Sequence, residues 1–451
     1  MPALRGRRPL HPARFAALMV VFGFMTAATL GTLMLTLPFA TASGRSTSLL
    51  DAAFTATSAV CVTGLIVVDT PSHWTPFGEG VILALIQIGG FGIMTMTSLV
   101  VVLLSKRLGL RHRLVARAET GTLEVGDVRQ VLFGVARFSI SVELVMATLL
   151  FARFWIAYDE SPGRAAYLGL FHSISAFNNA GFSLFSDSLA SFTNDPFVLL
   201  SVAMTVIVGG LGYPVWVDIA RRPRYPSSWS LHSKITVSTT VGLLSAGTIL
   251  LAWFEWTNTG TLGEMSVRDS TVNAFFHSAM PRTAGFNSLD IASMNEPGRF
   301  LTEILMFIGG GSASTAGGIK VTTFAVLGWV MWAEVRGDPD VVAFGRRIPE
   351  AAQRQALTVG LMAVGGVVVS TMLMMAWTPL PRSDLFFEVV SALGTVGLST
   401  GVTPLLSTQS QVLTMALMLV GRIGPITLLI GLVLRERARR YRHATERPII
   451  G

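Results

Sequence analysis

Four glycines, Gly64, Gly181, Gly285 and Gly397, stand near the ends of four related segments: DAAFTATSAVCVTGL, GLFHSISAFNNAGFS, NAFFHSAMPRTAGFN and LFFEVVSALGTVGLS. A Phe lies ten residues before each glycine (Phe54, Phe171, Phe275, Phe387), and a Leu or Phe follows each directly (Leu65, Phe182, Phe286, Leu398). Ser lies six residues before three of them, at Ser58, Ser175 and Ser391. The chemistry such loops could do is coordination by backbone. Glycine supplies positive φ and lacks a side chain, so carbonyls can face a common axis, and a ring of carbonyls can replace the hydration shell of a cation. A short helix leading into each loop would point its negative C-terminal end at the same place, which favours a cation over an anion.

Other chemistries find little support. No HExxH occurs, and the acids within apolar segments, such as Glu143 and Glu303, are not paired in sequence, which argues against a membrane-embedded enzyme. A single cysteine, Cys61, rules out an internal disulfide or cysteine metal cluster and reads as a packing residue. His172 and His277 sit at different offsets from their glycines, so hydrogen bonding at the helix start suits them better than a shared metal site. Asn178 and Asn179 read as braces of the second loop. Arg282, three residues before Gly285, either tunes the field there or supports its own loop. The many Met residues read as packing.

The elements that must position these loops are membrane spans. Hydrophobic residues make up 51% of the chain and charged ones 13%, with a mean hydropathy of +0.59. That is far too apolar for a soluble protein. Eight segments are long enough to cross a hydrocarbon core of about 30 Å: residues 15–38, 78–104, 131–157, 195–219, 233–255, 299–333, 354–377 and 408–434. The first is too long for a signal-peptide core. The formal charge of +8 is concentrated in every second connection. Arg5, Arg7, Arg8 and Arg14 precede the first segment; Lys106, Arg107, Arg111, Arg113 and Arg117 follow the second; Arg221, Arg222, Arg224 and Lys234 lie after the fourth. Arg336, Arg346, Arg347 and Arg354 follow the sixth, and a basic tail closes the chain. This alternation predicts both termini in the cytoplasm, with contact to anionic lipid and no nucleic acid.

The glycines recur at intervals of 117, 104 and 112 residues. A repeat of that period predicts four units, each reading span, short helix, glycine loop, span: residues 15–104, 131–219, 233–333 and 354–434, followed by the tail, 435–451. The fold class expected is all-α, eight transmembrane helices plus four re-entrant pore helices around one axis. In the second span of each unit a glycine-rich tetrapeptide follows 24 to 28 residues after the loop glycine: GGFG, GGLG, GGGS and GRIG. Close helix packing accounts for the first two about as well as function does. It does not account for the third, which expands into IGGGSASTAGGIK (308–320), or for the fourth, where Arg422 replaces a glycine. Gly309, Gly310, Gly311, Ser312, Ala313, Ser314, Thr315, Ala316, Gly317 and Gly318 cannot continue a stable lipid-facing helix, since glycine costs about 1 kcal/mol per helical position relative to Ala. The stretch reads as a loop obstructing the pore beneath the filter, with Arg422 facing it because an intramembrane charge seldom faces lipid. Lys320 is either a second contact of that loop or a residue reaching for the cytoplasm. A P-loop reading fails: Lys320 lies between Ile319 and Val321, and no strand leads in.

SAVCVTGL, FNNAGFS, RTAGFN and TVGLST, together with GGGSASTAGGIK and GRIGP, resemble the Trk/Ktr/HKT superfamily of potassium transporters, above all the KtrB-like membrane subunit of bacterial Ktr systems. The resemblance covers residues 15 to 434, and the single span before the first loop favours Ktr over Trk. It implies K⁺ as the transported ion, held by backbone carbonyls of a filter comprising the four glycines with Val62, Thr63, Asn179, Ala180, Thr283, Ala284, Thr395 and Val396. It also implies a multi-pass protein of the bacterial inner membrane, a homodimer, a cytosolic nucleotide-binding (RCK-type) ring as partner, Na⁺ stimulation, and a gate formed by the 309–320 stretch with Arg422. No organic cofactor is expected in this chain. A proton-coupled Trk-type transporter and an ungated cation channel remain the alternatives.

Overall fold

The computed structural model describes residues 12–107 and 128–433. Arg5, Arg7, Arg8, Arg111, Arg113, Arg117 and the tail 435–451 lie outside the described residues. One order of elements recurs four times. A long helix leads to a short one, a non-helical loop holds the repeated glycine, and a further helix leaves it. The first unit comprises α1 (Pro12–Leu35), α2 (Leu49–Val60) and α3 (Pro76–Arg107). The second comprises α4 (Val128–Ala157), α5 (Pro162–Phe177), α6 (Pro196–Leu211) and α7 (Tyr213–Arg221). The third comprises α8 (Leu231–Glu255), α9 (Val267–Ala279), α10 (Glu296–Phe307) and α11 (Val321–Arg336), and the fourth α12 (Glu350–Trp377), α13 (Arg382–Gly394) and α14 (Thr408–Val433).

Among the described residues, four helical stretches are long and apolar enough to cross a membrane: Pro76–Thr95, Leu132–Ala157, Leu231–Glu255 and Glu350–Trp377. The pair α6 and α7 passes the same test but bends by 94°. The sequence predicts one span over 195–219; the chain instead breaks at Gly212 (φ +92°), one residue before a Tyr-Pro pair. Within 299–333, α10 ends at Phe307 and α11 starts at Val321. One departure from all-α is a hairpin, β1 (Val342–Ala343) against β2 (Arg346–Arg347). It turns on Phe344 and Gly345, both at positive φ, as a two-residue hairpin turn requires.

Burial separates two kinds of helix. Only 22% of the α4 and α12 windows is buried, and these helices turn Ile156, Leu361 and Met372 outward at 66–73% exposure. Apolar surface of that extent belongs against lipid. The short helices α2, α5, α9 and α13 are instead packed inside. Phe54, Phe171 and Phe387 are fully buried, while Phe275 is half-buried beside a fully buried Phe276. Ser48, Ser161 and Ser266 cap the first three short helices by accepting from Asp51, Arg164 and Asp269 amides, and the fourth opens after Pro381. Polar contacts join neighbouring units: Asn273 donates to the Thr193 carbonyl (2.8 Å), and Arg299 pairs with Asp384 at 2.6 Å.

Candidate functional site

The four glycine loops meet in a closed ring. A Cβ added to Gly64 would stand against the Ala180 carbonyl oxygen and 3.1 Å from the Gly181 Cα. One added to Gly181 would lie 2.8 Å from the Ala284 oxygen and 3.0 Å from the Gly285 Cα. From Gly285 it would meet the Val396 oxygen and come within 3.0 Å of the Gly397 Cα; from Gly397, the Thr63 oxygen and 3.1 Å from the Gly64 Cα. Each loop touches the next, and the fourth touches the first. Since real Cβ contacts almost never fall below 3.0 Å, no side chain fits at any of the four positions.

Backbone conformation follows the same repeat. Gly64, Gly181, Gly285 and Gly397 have φ of +92°, +70°, +72° and +97°, and the residues two positions earlier, Val62, Asn179, Thr283 and Thr395, have φ of +55°, +61°, +74° and +49°. Left-handed backbone at four non-glycine residues costs energy. Local hydrogen bonds hold it there. Thr63, Ala180 and Val396 amides donate to the carbonyls of Ser58, Ser175 and Ser391 at 2.8–2.9 Å, and the Gly64 and Gly397 amides donate to the Ser58 and Ser391 hydroxyls at 3.1 Å. The third unit has Ala279 in place of that Ser, and its Ala284 and Gly285 amides share the Met280 carbonyl. The hydroxyls of Thr63, Thr283 and Thr395 are buried with no hydrogen-bond partner among the described residues. The short helices end at Val60, Phe177, Ala279 and Gly394, so four negative helix ends approach one ring.

The neighbours of the ring are polar and buried. Asn178 donates to the Gln87 amide oxygen (2.8 Å) and to Glu143 (3.3 Å), and Gln87 donates to the same carboxylate. Asn179, its amide oriented to satisfy both neighbours, donates to the Ala176 and Val206 carbonyls at 3.2 Å. Both asparagines thus brace their loop. Arg282 is buried and donates to the Thr240 hydroxyl (3.1 Å) and carbonyl (3.5 Å) on α8, so it anchors its loop to a neighbouring helix. His172 and His277 are hydrogen-bonded, as expected, though not at helix starts: His172 meets the Ser183 hydroxyl and the Leu168 carbonyl from mid-helix, and His277 meets the Thr302 hydroxyl near the end of α9. Cys61 is buried and free.

Residues 308–320 lie against the ring and are almost wholly buried. The Gly309 amide donates to the Ile319 carbonyl (2.8 Å), closing the stretch on itself. A Cβ on Gly317 would strike the Thr395 hydroxyl, and one on Gly318 (φ +58°) would lie 3.1 Å from the Gly394 oxygen, so the stretch is seated directly on the fourth loop. Ser314 donates to the Gly311 carbonyl (2.6 Å), Ser312 meets Thr322 (2.9 Å), and Thr315 donates to the Phe177 carbonyl (3.1 Å). Ala313 adopts φ +59°. Arg422, 3% exposed, donates to the Thr315 and Gly89 carbonyls. Lys320 donates to the Ala316 and Gly317 carbonyls, so its ammonium contacts this loop. Ala316 is buried between them. Two cations therefore hold one backbone loop through its carbonyls.

Sequence reasoning missed the acceptors on which the loop sits. The Gly311 amide donates to the Gly210 carbonyl at 2.7 Å and the Thr315 amide to the Gly209 carbonyl at 3.3 Å. The signal was present as Gly-Tyr-Pro inside a predicted span, a pattern that breaks helices. It also missed the Gln87–Glu143 brace behind Asn178.

Comparison with known proteins agrees with this geometry. A family model described as TrkH, cation transport protein, matches residues 14–439. The chain is 40% identical over 419 residues to Ktr system potassium uptake protein B of Bacillus subtilis (strain 168), covering 93% of each. It is 36% identical over 453 residues to potassium/sodium uptake protein NtpJ of Enterococcus hirae, covering 99% of each, and 38% identical over 411 residues to the Ktr system potassium uptake protein B of Vibrio alginolyticus, covering 91% of this chain and 89% of that one. Its fold is similar to the crystal structure of the potassium transporter TrkH from Vibrio parahaemolyticus, with a TM-score of 0.72 over 97% of this chain and 87% of that one at 20% identity. A match running through all four loops and the interrupted helix leaves one assignment: the chain belongs to the TrkH family of cation transport proteins.

Proposed function

We propose that the protein takes up potassium across the cytoplasmic membrane through one pore bounded by the four glycine loops. The observation that carries this reading is the closed ring of contacts from Gly64 to Gly181, Gly285, Gly397 and back. A dehydrated cation exchanges its water for the carbonyls of that ring and is favoured by the four helix ends aimed at it. The names of the relatives, potassium uptake proteins of Ktr systems and a potassium/sodium uptake protein, support K⁺ as the ion and Na⁺ as a second one.

In this reading the chain forms eight spans and four re-entrant helices in the units 15–104, 131–219, 233–333 and 354–434, with both termini and the tail 435–451 in the cytoplasm. The 309–320 loop is the gate. Arg422 and Lys320 hold it across the pathway, and their charges repel a cation in the closed state. The protein works as a homodimer with a cytosolic nucleotide-binding ring; the word "system" in the relatives' names supports a partner subunit.

Expression in a bacterium lacking its own uptake systems should restore growth at low K⁺. Uptake measured against opposing Na⁺ and proton gradients separates the mechanisms. Flux that follows the proton gradient means a coupled transporter, and no K⁺-dependent growth or uptake from a well-expressed protein defeats the reading. Mild purification from the native membrane should co-isolate a nucleotide-binding protein, and recovery of the homodimer alone would remove the partner.

A further inference from the structure

We propose that the break in the second unit at Gly212–Tyr213–Pro214 is what docks the 308–320 loop, so that straightening this elbow releases it. The inference rests on reading that loop as the gate.

The argument begins with the unpaired carbonyls of a helix end. α6 stops at Leu211, which leaves the carbonyls of residues 208–211 without donors from their own helix. The Val208 carbonyl takes the Trp216 indole N–H at 2.9 Å, folding α7 back across the bend. The next two take the loop: Gly209 accepts from the Thr315 amide and Gly210 from the Gly311 amide. In an unbroken helix those carbonyls would instead pair with amides at positions 213 and 214. Pro214 has no amide N–H, and its ring would clash with the Gly210 carbonyl. The residue that prevents the helix from continuing is thus the one that leaves Gly210 free to hold the loop.

The fit is close. A Cβ on Gly212 would lie 2.9 Å from both the Ser312 and Ala313 oxygens, and one on Gly311 would lie 2.5 Å from the Leu211 oxygen. The Thr315 side chain adds a bond to the Phe177 carbonyl, the last of α5. One loop therefore caps two helix ends of the second unit. The far end of the elbow is also tied down, because the Asp218 carboxylate on α7 accepts from the Ser230 amide and hydroxyl and from the Ser233 hydroxyl at the start of α8. A force on α7 reaches the loop through only a few residues.

The test compares three variants by rubidium uptake in cells lacking other K⁺ systems, at matched expression. Gly212→Ala with Pro214→Ala restores an amide for Gly210 and favours a continuous helix. It should raise the maximal rate about five-fold, the low end of what such coupling delivers. Deletion of 312–316 should raise it as well, and the combination should be no faster than the deletion alone, because the elbow acts only through the loop. A double variant at the wild-type rate beside a fast deletion overturns the elbow and leaves the gate standing, as does a combination that exceeds the deletion. A deletion no faster than wild type overturns the gate and the elbow together. Should the double variant fail to fold, Trp216→Phe decides: removing its indole N–H should raise the rate about two-fold, and an unchanged rate overturns the proposal.

Discussion

Replacing Gly64 with serine places a side chain where the ring has no room. Its Cβ would overlap the Ala180 carbonyl oxygen and lie 3.3 Å from the Ala180 carbonyl carbon, and the obstacle is backbone, which cannot rotate aside. The residue must also hold φ near +92°, a conformation that costs a non-glycine residue about 1–3 kcal/mol. Relief comes from moving the Ala180 carbonyl out of the ring, so the strain is transferred to ion binding. Converted to an equilibrium, it corresponds to a roughly 5- to 150-fold change. We expect half-saturation for K⁺ to rise by about ten-fold and Na⁺ to compete more strongly. The assay is K⁺ or rubidium uptake at varied Na⁺ in cells matched for expression. Gly401→Ser is the control: Gly401 has φ +88° but nothing within 4 Å of an added Cβ, so it carries the backbone strain without the ring. Unchanged K⁺ affinity and Na⁺ competition in Gly64→Ser, or equal losses in both variants, would refute the assignment of Gly64 to the ion site.

Three further outcomes follow from the same geometry. Arg422→Ala removes two hydrogen bonds from buried carbonyls and should raise maximal flux about two- to five-fold, less than deleting 312–316, with weaker dependence on the proposed regulatory partner; a well-expressed variant transporting at the wild-type rate counts against it. Arg282→Met removes the link from the third loop to Thr240 and should loosen K⁺ over Na⁺ discrimination without speeding transport, as read by competitive uptake. Asp195→Ala removes the α6 cap, bonded to the Phe197 amide at 3.0 Å, and the contacts with Arg153 and Tyr158 at 2.9 Å, which should cost ~2–4 kcal/mol and lower the melting temperature in detergent while leaving ion preference unchanged.

The repeated loops were legible because their signal is one of spacing. Phe, Ser and Gly at fixed offsets require no knowledge of what lies opposite, and the interruption at 308–320 showed itself by glycines that no span tolerates in a row. What sequence could not supply was the pairing between units. That the Gly64 loop meets the Ala180 carbonyl, more than a hundred residues away, depends on the order of units around an axis, and no local pattern encodes it. The elbow at Gly212 escaped notice because hydropathy averages over a window: Leu211, Tyr213, Val215 and Trp216 keep the 195–219 run apolar across the break. The histidines are hydrogen-bonded away from the helix starts, which Ser161 and Ser266 mark as N-caps, a local signal readable in the sequence. The hairpin at 342–347 is too short for any alternation of polarity to announce it.

The third unit departs from the other three in several places at once, and the departures belong together. In units one, two and four, a glycine of the inner helix lets it press on a carbonyl four residues before the loop glycine: Gly89 on Val60, Gly209 on Phe177, Gly421 on Leu393. Those inner helices support their loops. In the third unit the corresponding loop position is Pro281, and the space beside Gly309 is filled by the Gly317 carbonyl of its own stretch. The serine that holds the loop amide in units one and four is Ala279 here. Support comes from the other side. Arg282 reaches Thr240 and Ser278 donates to the Leu244 carbonyl at 3.0 Å, both on α8. With its loop leaning on the outer helix, the third unit can open its inner helix over 308–320 without removing a main support of the ring. The proposed gate in that unit can shift while the ring keeps its shape, whereas a break at Gly89 or Gly421 would withdraw the surface on which that unit's own loop rests.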